Sequence, residues 1–138
     1  MTENERKTEP GLRASIVKTF SFEEVESFSA MSLDSNRIHF DYAYARDSIF
    51  GKPIVQGPLV ASLIGGILGS TLPGDGTIYL SQETNFKKPV FIDEKIEVIV
   101  EIIHVRTDKN IITLRTWVEK ENGEVAIDGK AVVMVLNK

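Results

Sequence analysis

The chain has 138 residues, a formal net charge of −4 at pH 7 and no cysteine. A chain of this length is expected to form one domain that buries a sizeable core without metal ions or crosslinks. The lack of cysteine excludes disulfides, thiolate nucleophiles and Cys-ligated zinc, and fits a reducing cytoplasm, where we expect the protein to act. Two lone histidines give no basis for a zinc site, and a net negative chain is not expected to bind nucleic acid.

The amino-terminal segment differs in composition from the rest of the chain. Residues 1–10 are charged and polar, with no apolar run. This pattern predicts a disordered arm and not a secretory signal. We therefore expect a single folded domain over residues 11–138.

The first predicted elements are a strand and a helix. Residues 14–20 are extended, and Ser21 with Glu24 has the pattern of a capping box. Phe20 and Val25 stand at the positions of a hydrophobic staple, so a helix begins here. Apolar residues at helical spacing continue one stripe that we expect to pack in the core, namely Phe22, Val25, Phe28 and Met31.

The connection after this helix holds the candidate catalytic residues. Asp34 and His39 put a carboxylate and an imidazole on one short turn-rich segment, and two such groups can form a general acid/base pair. The other interpretation of Asp34 is a turn or cap residue, and that of His39 a loop or core residue. Asn36 is predicted either to favour a turn or to hydrogen-bond the reacting water or Asp34.

Two further helices are predicted. A short one covers residues 41–47, and Gly57-Pro58 opens an apolar run over residues 59–72. At roughly 15 residues this run is too short for a typical membrane span, so we expect it to be wrapped by protein on all sides. Its glycines suggest close approach by another group, at Gly65, Gly66 and Gly69. Free N–H groups and the positive dipole end at Gly57 favour an anion.

Strand-like alternation replaces the helical pattern after residue 76. Strands are predicted over residues 77–82, 95–105, 111–120 and 125–136. Turn residues at 108–110 and 122–123 join the last three as a meander. The sequence therefore predicts an α+β fold, in which a curved antiparallel sheet wraps around a central apolar helix.

Taken together, these segments resemble the MaoC-like (R)-specific enoyl-CoA hydratases, which have the hot dog fold. The resemblance covers most of the chain. It is carried by FEEV at residues 22–25, LDSNRIHFD at 33–41, GKPIVQG at 51–57 leading into LVAS, and NFKKPV at 85–90 followed by Asp93.

This resemblance implies reversible syn addition of water to a trans-2-enoyl thioester, giving the (R)-3-hydroxyacyl thioester. Asp34 would be the base that polarises the water, and His39 would orient the water and handle the proton that passes to C2. The backbone N–H of Gly57 would stabilise the enolate-like oxygen. The reaction needs no metal and no redox cofactor. The family also implies a homodimer whose sheets join edge to edge, with the acyl-CoA tunnel at the junction.

The chain departs from the family pattern at three positions. Arg37 stands where the family usually has Pro, Gln56 where it has His, and Gly65 where related hydratases can carry a hydroxyl. Three alternatives accompany the hydratase prediction: a dehydratase acting on carrier-protein-bound 3-hydroxyacyl chains, a hot dog thioesterase, and a non-catalytic acyl-thioester-binding subunit. The departures at Arg37 and Gln56 favour the last of these.

Overall fold

The structure is a computed structural model that describes residues 8–136; residues 1–7 of the predicted arm lie outside the described residues. The elements, in chain order, are β1 (Arg13–Thr19), α1 (Phe22–Ser32), a single 3-10 turn (Arg37–His39), α2 (Tyr42–Arg46), α3 (Gly57–Ser70), β2 (Thr77–Phe86), β3 (Lys95–Arg106), β4 (Ile111–Lys120) and β5 (Val125–Val135). The predicted helices and strands are all present; β4 has its predicted bounds, and most of the others are shifted at one or both ends.

In the described part of the chain, five strands form one antiparallel sheet in the order β1-β3-β4-β5-β2. The predicted meander of β3, β4 and β5 is its centre, and β1 and β2 are its edges. The pairing register shifts within β2, within β3 and near the end of β4. Such irregularities bend a strand and increase its twist, which lets the sheet curve around a helix.

Helix α3 packs one face against this sheet. Its buried residues are Val60, Ile64, Ile67 and Leu68, and they share one core with the inward side chains of β3, β4 and β5. The expectation of burial on all sides is wrong, because the strands cover only one side of the helix. The other side leaves small residues exposed, including Ser62, Gly66 and Gly69. Within residues 8–136, no helix is long and apolar enough to cross a membrane.

The predicted close approach to the glycines of α3 is found at one of them. A Cβ atom on Gly65 would lie 3.3 Å from the ring of Tyr79, whereas a Cβ on Gly66 or Gly69 would meet no atom within 4 Å. Burial against this helix raises the pKa of the Tyr79 hydroxyl above its usual range.

Helix α1 begins as predicted but buries less than predicted. The capping box is formed, with Glu24 accepting from the Ser21 N–H at 3.0 Å and donating its own N–H to Ser21 Oγ at 3.2 Å. Of the apolar stripe only Val25 is buried, and Met31 is 76% exposed. The stripe prediction is wrong at Met31, because the core cluster reaches α1 at Val25 and does not extend to its last turn.

Strands β2 and β5 approach each other closely at Gly129. A Cβ atom there would overlap the carbonyl oxygen of Glu83 on the paired strand. Any side chain at this position would push the two backbones apart, so the pairing requires glycine.

Candidate active site

The segment between α1 and α2 is built by its own short polar residues. Asp34 Oδ1 accepts the N–H of Asn36 at 3.0 Å, and Asn36 Oδ1 accepts the N–H of Ile38 at 3.2 Å. These local bonds are the turn chemistry of Asp and Asn. They start the 3-10 turn that ends at His39. Asn36 therefore contacts Asp34 through its backbone and caps the turn with its side-chain oxygen.

The imidazole of His39 is fixed by a backbone carbonyl. Its ring is buried, and Nδ1 lies 2.8 Å from the carbonyl oxygen of Ile54. A carbonyl oxygen only accepts, so Nδ1 carries the proton and donates it. The other ring nitrogen, Nε2, lies 3.4 Å from Asp34 Oδ2. The structure thus brings the predicted pair together.

The two members of the pair have different environments. The His39 side chain is 9% exposed and that of Asp34 is 39% exposed. A separation of 3.4 Å is longer than a good direct hydrogen bond. With a neutral ring, Nε2 and Oδ2 are both acceptors, so they can share the protons of one donor such as water. With a protonated ring they form an ion pair.

The segment that holds the His39 acceptor is itself fixed on two sides. The N–H of Ile54 donates to the carbonyl of Ile38 at 3.2 Å, and that of Val55 donates to the carbonyl of Val90 at 2.7 Å. Ile54 also forms a β-bridge with Phe91. We call residues 54–57 the strap, because this segment connects the histidine anchor to the first residue of α3.

Gly57 is that first residue. The first N–H groups of a helix have no partner within the helix, and they carry the positive end of its dipole. Pro58 has no N–H to add. A Cβ atom on Gly57 would lie 2.6 Å from Cε1 of Phe86, so the ring of Phe86 packs directly on this glycine. Only glycine fits here unless the ring moves.

A cavity of about 430 Å³ lies beside the strap. Its walls are mainly apolar and include Ile54, Val55, Gly57, Val60, Phe86 and Val90. This volume is in the range of small-molecule sites. Among the described residues, Asp34 and His39 do not line it. Ile54, which lines the cavity and binds His39, connects the two parts of the site.

Two lysines stand at the wall of this cavity, and both are paired with carboxylates. Lys87 Nζ lies 3.9 Å from Asp128, and Lys88 Nζ lies 3.5 Å from Glu124. Among residues 8–136, no group of three or more His, Asp or Glu side chains could hold a metal ion.

Residues 2–124 match the family model described as "MaoC like domain". The chain belongs to this family. Over 125 residues the MaoC-like chain is 45% identical to the (R)-specific enoyl-CoA hydratase of Aeromonas caviae. The match covers 91% of this chain and 93% of that protein. A mitochondrial 3-hydroxyacyl-acyl-carrier-protein dehydratase of Solanum lycopersicum is 38% identical over 120 residues, covering 86% of this chain and 72% of that one.

The solved structure of the (R)-hydratase from A. caviae involved in PHA biosynthesis matches with a TM-score of 0.92 and 43% identity. The match covers 95% of the MaoC-like chain and 99% of the other. The predicted hot dog fold is therefore confirmed.

Arg37, the first departure from the family pattern, joins the 3-10 turn to α2. Its Nε lies 3.2 Å from Asp41 Oδ2, and its guanidinium lies 4.5 Å from the centre of the Tyr44 ring. The N–H of Tyr44, and then Arg37, hold the pKa of the Asp41 carboxyl below its usual range. In this MaoC-like chain a side-chain cluster thus fixes the join between the 3-10 turn and α2.

Gln56, the second departure, is fully buried in the strap. Its Nε2 donates to the carbonyl of Val25 at 2.9 Å and to Ser29 Oγ at 2.8 Å, both on α1. The sequence marked Gln56 only as an unusual residue, and it gave no signal for the roles of Ile54 and Phe86. The role of Ile54 rests on its backbone carbonyl, which every residue has. The role of Phe86 rests on packing against Gly57, which is distant in the sequence and leaves no local pattern.

Proposed function

We propose that this protein is an (R)-specific enoyl-CoA hydratase, which adds water reversibly to trans-2-enoyl-CoA to give (R)-3-hydroxyacyl-CoA. The observation that carries the proposal is the convergence of His39 Nε2 and Asp34 Oδ2, 3.4 Å apart, with the ring held by Ile54. The resemblance to the A. caviae hydratase over nearly the whole of both chains supports it.

In the proposed reaction, Asp34 and His39 together carry one exchangeable proton. At the start this proton is on His39 Nε2, and Asp34 is ionised. Water bound beside the pair gives a proton to Asp34 while its oxygen attacks C3 of the enoyl thioester. Protonated His39 gives the Nε2 proton to C2, on the same face. The proton on Asp34 then passes to His39 across their 3.4 Å separation, which restores the starting pair. Water is consumed, with OH on C3 and H on C2.

The strap and the cavity supply the other parts of the proposed site. Attack at C3 moves negative charge onto the thioester oxygen, and an N–H aimed at that oxygen lowers the barrier. We assign this role to Gly57, at the positive end of α3. The apolar cavity beside it would accept the acyl chain. Asn36 would act indirectly, by holding Asp34 through its backbone N–H.

The test is to incubate the purified protein with crotonyl-CoA and to follow the ultraviolet absorbance of the enoyl thioester together with free thiol. We expect the absorbance to fall with no thiol released. The Asp34→Asn protein should lose at least about 100-fold in kcat, the scale of general acid/base catalysis. The matched control is Asp47→Asn, which changes an 81% exposed carboxylate at the end of α2 and should leave kcat unchanged.

Other outcomes identify the alternatives. Thiol release would indicate a thioesterase, and no change in either signal would indicate a subunit that only binds acyl thioesters. If Asp34→Asn hydrates crotonyl-CoA as well as the natural protein does, the proposed mechanism is wrong.

The similarity to the tomato protein supports a second candidate, a 3-hydroxyacyl-carrier-protein dehydratase. It would use the same groups in the reverse direction. The two candidates are separated by comparing kcat/KM for one 3-hydroxyacyl chain carried by coenzyme A and by acyl carrier protein. A preference for the carrier protein of more than about tenfold, which corresponds to about 1.4 kcal/mol, would indicate the dehydratase.

We also propose that the protein works as a homodimer joined through β2. This edge strand has an unpaired side in the single chain and exposes apolar side chains at Ile78, Tyr79 and Leu80. A groove of about 620 Å³ lies between it and the exposed side of α3. An exposed apolar edge is normally covered by association.

A further inference from the structure

Gln56 is a buried amide that joins two separate parts of the site. Its side chain has no exposed surface, and it lies between the His39 anchor at Ile54 and Gly57. The two hydrogen bonds from its Nε2 reach Val25 and Ser29 on α1. These partners are 31 and 27 positions away in the sequence, so the amide is a tertiary tie and not a local cap.

The tie connects the supports of both candidate catalytic groups. Helix α1 leads directly into Asp34, and Ser32 Oγ, at its last residue, lies 3.4 Å from the Asp34 nitrogen. The strap holds His39 through Ile54. A shift of α1 relative to the strap would therefore change the distance between the carboxylate and the imidazole.

The amide is kept at a cost. Among the described residues, Gln56 Oε1 is buried without a hydrogen-bond partner. A buried acceptor that is left unpaired destabilises the fold. An apolar side chain of the same length would have no unpaired acceptor. It would also leave neither partner of the amide without a hydrogen bond, because the Val25 carbonyl lies inside a helix and Ser29 is only partly buried. Stability alone does not account for glutamine at this position.

We infer that Gln56 is a positioning residue, which sets the separation of Asp34 and His39 by fastening α1 to the strap. This inference rests on the proposed hydratase function and adds a residue to it. Small displacements of reacting groups are costly: about 1 Å can lower a rate by up to about 100-fold. Gln56 acts through the two catalytic candidates and does not touch the substrate.

The first test is Gln56→Met, which keeps the length of the side chain and removes its donors. With crotonyl-CoA we expect kcat to fall about tenfold and KM to change less than about twofold, because orientation affects the chemical step more than binding. The thermal midpoint should be equal to or higher than that of the natural protein. A residue with a purely structural role would lower the midpoint and leave kcat per folded molecule unchanged.

The matched control is Thr116→Val. Thr116, on β4, is also fully buried with an unpaired side-chain oxygen, and among residues 8–136 that oxygen makes no hydrogen bond to the strap or to α1. This variant should raise the thermal midpoint and leave kcat unchanged. It therefore distinguishes the effect of removing a buried unpaired oxygen from the effect of losing the hydrogen bonds between the strap and α1.

The second test is a double-mutant cycle with Ser29→Ala, which removes one acceptor of the tie from a partly buried position. Alone it should lower kcat about threefold. Combined with Gln56→Met it should cause no further loss, because the bond is already absent.

The outcomes distinguish this inference from the function on which it rests. If the natural protein does not hydrate crotonyl-CoA, the proposed function fails and the inference fails with it. If the natural protein is active and Asp34→Asn is not, but Gln56→Met keeps full kcat, only the positioning role is overturned. Independent effects of Ser29→Ala and Gln56→Met would overturn it as well.

Discussion

At the scale of single residues, a backbone atom decides how the His39 ring presents its nitrogens. The Ile54 carbonyl accepts from Nδ1, so the nitrogen that faces Asp34 is the one free to exchange a proton. No substitution of the Ile54 side chain removes this acceptor. The orientation of the ring depends instead on where the strap lies, and the strap is held by Ile38, Val90 and the Gln56 amide.

Gly57 offers a second test of the strap. In Gly57→Ala the new Cβ would lie 2.6 Å from the edge of the Phe86 ring, which is half exposed and can move. We expect the free energy of unfolding to fall by about 1 kcal/mol, the low end of the cost of adding a carbon to a packed site, because the ring can move. The value of kcat/KM should fall about tenfold, because the displaced ring reshapes the cavity beside the proposed oxyanion donor. Thermal unfolding and crotonyl-CoA kinetics measure both effects.

Gly66→Ala is the control for this change, since it lies in the same helix with open space around it. It should stabilise α3 by up to about 1 kcal/mol through helix propensity and leave the kinetics unchanged. Equal kinetics for Gly57→Ala and Gly66→Ala would contradict the role given to Gly57.

The residue types of the site could be predicted, and their supports could not. Asp34 and His39 are groups with acid/base chemistry, and the family motif around them is long. The Gln56 amide donates to residues 31 and 27 positions away. No periodicity or local motif records such a contact. The proposed catalytic roles of Asp34 and His39, and the supporting roles of Gly57 and Asn36, stay predictions.

At the scale of elements, the start of α1 depends on a charged cap. Lys18, and then the N–H of Ser21, hold the pKa of Glu24 below its ordinary value of 4.5. A carboxyl with a lowered pKa in the folded state stabilises the protein above its unfolded pKa, and this contribution is lost as the pH falls through the folded value. The contribution should therefore be complete above about pH 4.5 and fade below it.

Glu24→Gln tests this dependence, because glutamine can still cap the helix without a charge. The natural protein should have the higher thermal midpoint at pH 6, and the difference should shrink as the pH falls below about 4.5. In a Lys18→Met background the difference at pH 6 should be smaller. A difference that does not vary with pH would contradict the assignment.

The predicted elements were most accurate where a pattern is local. The capping box located the start of α1, and alternation located β3 and β4 within one residue at each end. β2 continues to Phe86 because it pairs with β5 up to Ile127, and its own sequence does not alternate there. Helical spacing alone predicts burial of Met31, but the core cluster reaches α1 at Val25 and stops short of Met31, which spacing cannot show.

At the scale of the whole molecule, the exposed edge at β2 predicts the assembly. Light scattering after size exclusion should give twice the 15.4 kDa mass of the chain. Leu80→Lys, which places a charge on this half-exposed strand position, should shift the protein toward the single-chain mass. The control is Ile16→Lys on β1, the opposite edge of the sheet, which should leave the dimer intact. A natural protein that runs at the single-chain mass at micromolar concentration would overturn the proposed dimer.

The contact of Gly129 with Glu83 also limits how the chain can misfold. If β5 slipped by one residue against β2, Asp128 or Lys130 would bring a side chain to the place where the two backbones touch. Such a slip would also turn the inward side chains of β5 to the opposite face. Steric exclusion at Gly129 therefore adds to hydrophobic burial in disfavouring wrong registers of β2 and β5. The correct register also places Phe86, the last residue of β2, against Gly57.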